Sequence, residues 1–195
     1  TACDYFEQDY QTNIKTNQYT SSTSLFYQMY SYCIINRLRA LVRKFTESLR
    51  LNDASSLLTC ATSNNSVTFV ISFYKEKVFP LISKFKELTS KSSYTLHNIL
   101  AVFSFVSATL TCLTKNALFT YVTKEELEII CTILEKCLNM LEDVSAYLSN
   151  LQTFVPLRLD SNLISLPIHR LMASAKILYA TLNNTIGEFK NRIKR

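Results

Sequence analysis

The stretch VTFVISFYKEKVFPLISKFKELTSKSSYTLHNILAVFSFVSATLTCLTK, residues Val67 to Lys115, decides the architecture. Val67, Val70, Tyr74, Val78, Leu81, Phe85 and Leu88 recur at threes and fours, the spacing that lines one face of an α-helix. The polar run Thr89 to Ser93 interrupts the pattern, which resumes at Leu96, Ile99, Phe103, Val106, Leu110 and Leu113. In this second part Leu100, Ala101, Val102 and Phe105 are apolar as well. A helix apolar nearly all round belongs at the centre of packed helices, and the short connection makes the two helices antiparallel neighbours. Pro80 lacks an N–H and clashes with the preceding turn, so a bend is expected after Val78.

The second helix has no charged residue from Ser92 to Thr114, which is long enough to cross a bilayer. His97, Asn98 and the many Ser and Thr lower the drive for insertion. The other amphipathic helices of the chain also need an apolar partner, so the reading is a bundle centre and no membrane span.

Outward from this pair, Tyr27, Tyr30, Ile34, Leu38, Leu41, Phe45 and Leu49 predict a helix from about Ser24 to Leu49. Leu51 to Asn65, rich in Ser, Thr and Asn, reads as the longest connection and as a possible lengthwise crossover. Towards the C-terminus, Thr123-Lys124-Glu125-Glu126 is a capping box. It opens a helix whose stripe is Leu127, Ile130, Leu134, Cys137, Leu141, Val144, Leu148 and Leu151. Ser165-Leu166-Pro167 predicts the start of the last helix, with Leu171, Ala175, Leu178, Leu182, Ile186, Phe189 and Ile193 on its buried face.

Residues 1–23 are polar with scattered aromatics, and they read as an extended arm that Cys3 can pin to the body. The expected fold is therefore all-α: one helical domain over 24–195, a bundle of about five long amphipathic helices. A hydrophobic share of 48% against 18% charged residues supports a sizeable core. One glycine and three prolines disfavour hairpins and tight βα loops.

Six cysteines, Cys3, Cys33, Cys60, Cys112, Cys131 and Cys137, show no Cys-x-x-Cys pair, which argues against a zinc site. They are candidate disulfide cysteines or buried thiols, with the pairing open. Cys131 and Cys137 lie roughly 120° apart around one helix and should not pair with each other. The chain opens on Thr1 without an initiator Met or an apolar leader, as a secreted protein does after its signal peptide is removed. Asn64 and Asn183 satisfy the glycosylation acceptor pattern, and Asn64, in an expected loop, is the better candidate.

The net charge of +6 is unevenly spread, with a basic first helix (Arg37, Arg39, Arg43, Lys44, Arg50) and an acidic one from Glu125 to Asp143. Basic residues interleaved with exposed aromatics are absent, so no nucleic-acid partner is expected. The two histidines, His97 and His169, fall on different helices and read as structural or surface residues. With no nucleophile and base in company and a single glycine, no catalytic residue, metal ligand or cofactor site is expected, and the chain does not read as an enzyme.

Phe73-Tyr74-Lys75-Glu76-Lys77-Val78-Phe79-Pro80, preceded by Cys60 and followed by Cys112, resembles the phenylalanine-tyrosine helix of the interleukin-10 family of cytokines. Thr185-Ile186-Gly187-Glu188-Phe189 is similar to the small-residue, Glu, hydrophobic segment of that family's final helix. The resemblance implies a secreted, disulfide-bonded helical ligand of a cell-surface receptor, engaging it largely through its first helix, the following loop and its last helix. On this chain those surfaces include Arg37, Arg39, Arg43, Lys44, Glu188, Lys190 and Arg192. The alternatives are a secreted helical protein that sequesters a host protein or a small apolar ligand, and an intracellular helical adaptor with reduced thiols.

Overall fold

The computed structural model describes residues 1–14, 21–56, 64–114, 122–154 and 161–195. It is all-α, with no strand among the described residues. The helices are α1 (Ala2–Asp9), which runs into a π-helical turn (Tyr10–Ile14), α2 (Ser21–Ser56), α3 (Asn64–Phe73), α4 (Phe79–Thr89), α5 (Leu96–Thr114), α6 (Lys124–Phe154) and α7 (Ser161–Lys194). A second π-helical turn, Tyr74–Val78, joins α3 to α4.

That turn is the form the expected break at Pro80 takes. Proline cannot donate to the turn before it, and the chain accommodates this by widening: the Phe79 N–H bonds to the Tyr74 carbonyl, five residues back. Pro80 then stands in the first turn of α4, where a missing donor costs nothing.

Neighbouring helices are ordered by their cross-helix pairs. The rings of Phe45 and Phe73 stack at 3.9 Å while Lys91 lies over Tyr27, so α2 runs antiparallel to the α3–α4 segment. Gln28 meets Ser93, Ser31 meets Asn98 and Arg43 meets Ser104, so α2 and α5 run parallel. Tyr94 meets Tyr147 at one end, and Thr109 meets Cys137 nearer the middle, which makes α6 antiparallel to α5. Glu142 faces Tyr179 and Glu135 faces Lys190, making α7 antiparallel to α6.

Helix α5 borders α2, α6 and α7 and buries Ala101, Val102, Phe105, Val106, Cys112 and Leu113 almost completely. Its length and composition would suit a membrane span, with a mean hydropathy of 1.7. The burial is not uniform: Leu96 and Leu100 are about half exposed, so one edge of α5 reaches the surface. The start of α5 is fixed by Thr95, whose hydroxyl accepts from the Asn98 N–H at 3.1 Å. Thr123 does the same for α6, accepting from Glu126 at 3.2 Å.

Several sequence expectations are corrected. The expected extended arm is helical over Ala2–Asp9, where Thr1 and Asp4 form a capping box. Tertiary contacts hold it: Phe6 stacks on Tyr30, Glu7 accepts from the Tyr30 hydroxyl, and Tyr10 donates to Glu87 at 2.5 Å. Lys84 sits 4.2 Å over the Tyr10 ring, and Lys91 donates to the Tyr10 hydroxyl. The crossover expected over Leu51 to Asn65 is also shortened, because α2 continues to Ser56 and α3 opens at Asn64. Low intrinsic propensity is a weak force against propagation of a long helix that is already formed. Finally, α7 begins at Ser161, so Pro167 lies inside the helix and does not open it. The exposed Pro167 lines a surface groove with Leu96, Arg170, Leu171 and Ser174.

Asn98 is fully buried, and its amide donates to Ser31 across the α2–α5 seam at 3.0 Å. Ser31 donates in turn to the Gln28 carbonyl, while the Asn98 Oδ1 has no partner among the described residues. An unpaired buried carbonyl costs about 1–3 kcal/mol. Asn98→Leu is therefore expected to stabilise the fold by about 1 kcal/mol, a rise of about 2–4 °C in melting temperature by calorimetry.

Candidate binding surface

The α2 basic residues fall on the side of the helix away from its core stripe. Ile34, Ile35, Leu38, Val42, Phe45 and Leu49 are buried, while Arg37, Arg43 and Lys44 are exposed and Arg39 is half-buried. At about 100° per residue, Arg37 and Lys44 share one edge of that outer face and Arg39 and Arg43 the other. The Thr1 hydroxyl and then the N-terminal ammonium hold the Asp4 carboxyl below its usual range, and Arg37 adds a smaller pull in the same direction. Arg43 turns to α5 and donates to Ser104 at 3.1 Å.

Arg43, Thr46 and Glu47 from α2 and Ser104, Ser107 and Thr111 from α5 line an open groove of about 480 Å³. The sequence reading missed this groove. Its signal was present as the spacing Ser104, Ser107, Thr111, a polar line one helical face wide on an otherwise apolar helix.

The residues carried over to the last helix are arranged differently. Lys190 forms an ion pair with Glu135 of α6 at 2.8 Å, and that carboxylate raises its ammonium pKa. The Arg192 guanidinium lies 5.9 Å from the centre of the Phe189 ring. Glu188 is exposed. Helix α7 packs chiefly on α6, and α2 on α4 and α5. The seven carried-over residues thus fall into two groups, one on α2 and one on α7, which do not pack extensively on each other.

No disulfide joins any described pair of cysteines, and Cys60 lies outside the described residues. The five described candidates, Cys3, Cys33, Cys112, Cys131 and Cys137, are all thiols in this structure. Cys137 is fully buried, and burial pushes its thiol up to about 12 against a weaker opposing hydrogen bond with Thr109. Cys112 is buried beside Tyr74 and Thr46, with its thiol raised by the same desolvation. Both behave as small core residues. Tyr74, whose hydroxyl donates to Thr109 at 3.2 Å, is raised well above the usual tyrosine range, again chiefly by burial. Cys131 is raised by burial and then by Glu135. Cys3 and Cys33, by contrast, face each other across α1 and α2.

Asn64 is the first residue of α3 and so not in the loop expected for it, while Asn183 is exposed on α7. The Thr185 hydroxyl of the second acceptor pattern is bonded to the Thr181 carbonyl at 2.9 Å. His97 and His169 are both exposed, and His97 lies against Tyr32. Among the described residues no three His, Cys, Asp or Glu side chains converge as metal ligands would. The chain matches no protein-family model, and neither a curated protein nor a solved structure shows significant similarity to it.

Proposed function

We propose that this chain is a secreted, cytokine-like single bundle of five long helices that binds a cell-surface receptor protein through the outer faces of α2 and α7. The observation that supports this reading is the placement of Arg37, Arg43 and Lys44 off the buried stripe of α2. The core does not need them, and arginine is over-represented among side chains whose loss weakens protein interfaces. A rigid helix also spends little backbone entropy on binding. The resemblance of Phe73 to Pro80 and of Thr185 to Phe189 to interleukin-10 family segments suggests the receptor as the class of partner.

The test is the double substitution Arg43→Glu with Lys44→Glu, set against Glu125→Lys with Glu128→Lys on the exposed start of α6. Both pairs are solvent-exposed, so helical content and melting temperature should barely change. Titration of labelled protein on receptor-bearing cells should show the α2 variant weakened about ten-fold, mainly through slower association and altered salt dependence. Parental binding by the α2 variant alongside failure of the α6 variant would overturn this choice of surface.

A second reading, the intracellular helical adaptor, is favoured by the buried thiols of Cys112 and Cys137. Alkylation of protein isolated from its natural source separates the two. Six modifiable thiols under denaturing conditions would support the adaptor, since small secreted domains ordinarily carry bridges.

A further inference from the structure

Helix α1 packs antiparallel on the start of α2 in a register that repeats at three points. Tyr10 lies against Tyr27 at 6.2 Å between ring centres, and Phe6 lies on Tyr30 at 5.8 Å. One further turn towards the N-terminus of α1 and one further turn along α2 bring Cys3 opposite Cys33. The two thiols share a hydrogen bond, and both side chains are half-buried at the edge of the core. Burial and then the adjoining Cys3 push the Cys33 thiol up. Next to this pair the α1–α2 contact is held by larger groups: Phe6 also packs edge-on against Phe26, and Glu7 takes the Tyr30 hydroxyl.

We propose that Cys3 and Cys33 form a disulfide that clamps α1 to α2. This pairing follows from the helix register and does not rest on the receptor reading. The chemistry is thiol–disulfide exchange with a small disulfide oxidant such as oxidised glutathione. One thiolate of the pair attacks a sulfur of the oxidant, forming a mixed disulfide and expelling the first glutathione thiolate. The second cysteine thiolate then attacks the protein sulfur of that mixed disulfide. The Cys3–Cys33 bond forms, the second glutathione leaves, and the two thiol protons end on the two glutathiones. The protein pair loses two electrons and the oxidant gains them. The α1–α2 register already sets the two cysteines opposite each other, so the exchange requires no repacking of α1.

The six cysteines fall on six different tryptic peptides, with Cys3 on residues 1–15, Cys33 on 16–37 and Cys60 on 51–75. Fully reduced, folded protein is exposed to a glutathione redox buffer, quenched by alkylation in denaturant and mapped by mass spectrometry. The expected product is peptide 1–15 joined to peptide 16–37 with the loss of two hydrogens. The bridged form should melt about 10 °C above the reduced form, because the bond constrains the unfolded chain. Cys3→Ser and Cys33→Ser variants, each still folded by circular dichroism, should lose that difference. Linkage of either peptide to 51–75, glutathione adducts that never resolve, or two alkylated cysteines under conditions that oxidise a dithiol standard would each overturn the pairing.

Discussion

Replacing Phe105 by alanine is expected to destabilise the protein by about 3–5 kcal/mol, the usual cost of removing a fully buried aromatic ring. At this chain length that is a fall of about 10–15 °C in melting temperature. Leu100→Ala, on the exposed edge of the same helix, should cost only about 0.5 kcal/mol. The contrast follows from where α5 sits: Phe105 faces the seam between the neighbouring helices, and Leu100 faces outward beside the surface residue Leu96. Both measurements are urea unfolding in detergent-free buffer, where the parent should be soluble and unfold in one cooperative step. A helix used as a membrane span would behave otherwise. Its exposed leucines would be covered by lipid, and the purified chain would need detergent to stay dispersed. Equal effects at the two positions, or a requirement for detergent, would remove α5 from the interior of the fold.

The helices were legible wherever burial follows a helical period. The α6 stripe from Leu127 to Leu148 is buried nearly as spaced, and Thr123 caps it where the Thr-x-x-Glu pattern placed the start. Pro80 broke its helix where proline chemistry required. The N-terminal segment was misread for a physical reason. Its apolar positions Cys3, Phe6 and Tyr10 do follow a helical spacing, but one short turn-pair among polar residues is too weak to form a helix alone. What stabilises it comes from Tyr30, Lys84 and Glu87, far along the chain, and no local pattern announces those contacts.

The candidate surface was legible only in part. Arg37, Arg43 and Lys44 could be placed off the core stripe of α2 by counting residues, and they are exposed. The groove that Arg43 shares with Ser104 requires the relative position of two helices, which periodicity within one helix does not contain. The same limit applied to the cysteines. Spacing excluded a bridge between Cys131 and Cys137, yet the meeting of Cys3 with Cys33 depends on the register between α1 and α2.

Stability should fall steeply in mild alkali, and Cys137 should account for a large share of the loss. The thiol is fully buried between α5 and α6, and desolvation pushes it up to about 12 from a reference value of 9.0. The sign is fixed by which state binds the proton. Below about pH 9 the thiol is neutral whether the chain is folded or not, and its contribution to stability is fully present. As the pH rises above 9, the unfolded chain releases this proton while the folded chain keeps it. The unfolded state is favoured progressively until the folded thiol also ionises near 12. At about pH 10.5 this amounts to about 2 kcal/mol. Tyr74 and Cys112, raised by the same burial, add to the loss in the same direction. Cys137→Ala isolates the cysteine's share: the substitution lowers stability at every pH by a roughly constant cavity cost, but removes the titrating group. Urea unfolding with reductant present, at about pH 8 and about pH 10.5, should show the parent losing about 2 kcal/mol more than the variant over that interval. Parallel losses in the two proteins would mean that Cys137 ionises as readily in the fold as out of it. That requires water at the α5–α6 seam, where Leu134 and Leu141 of α6 and Val106 of α5 are fully buried.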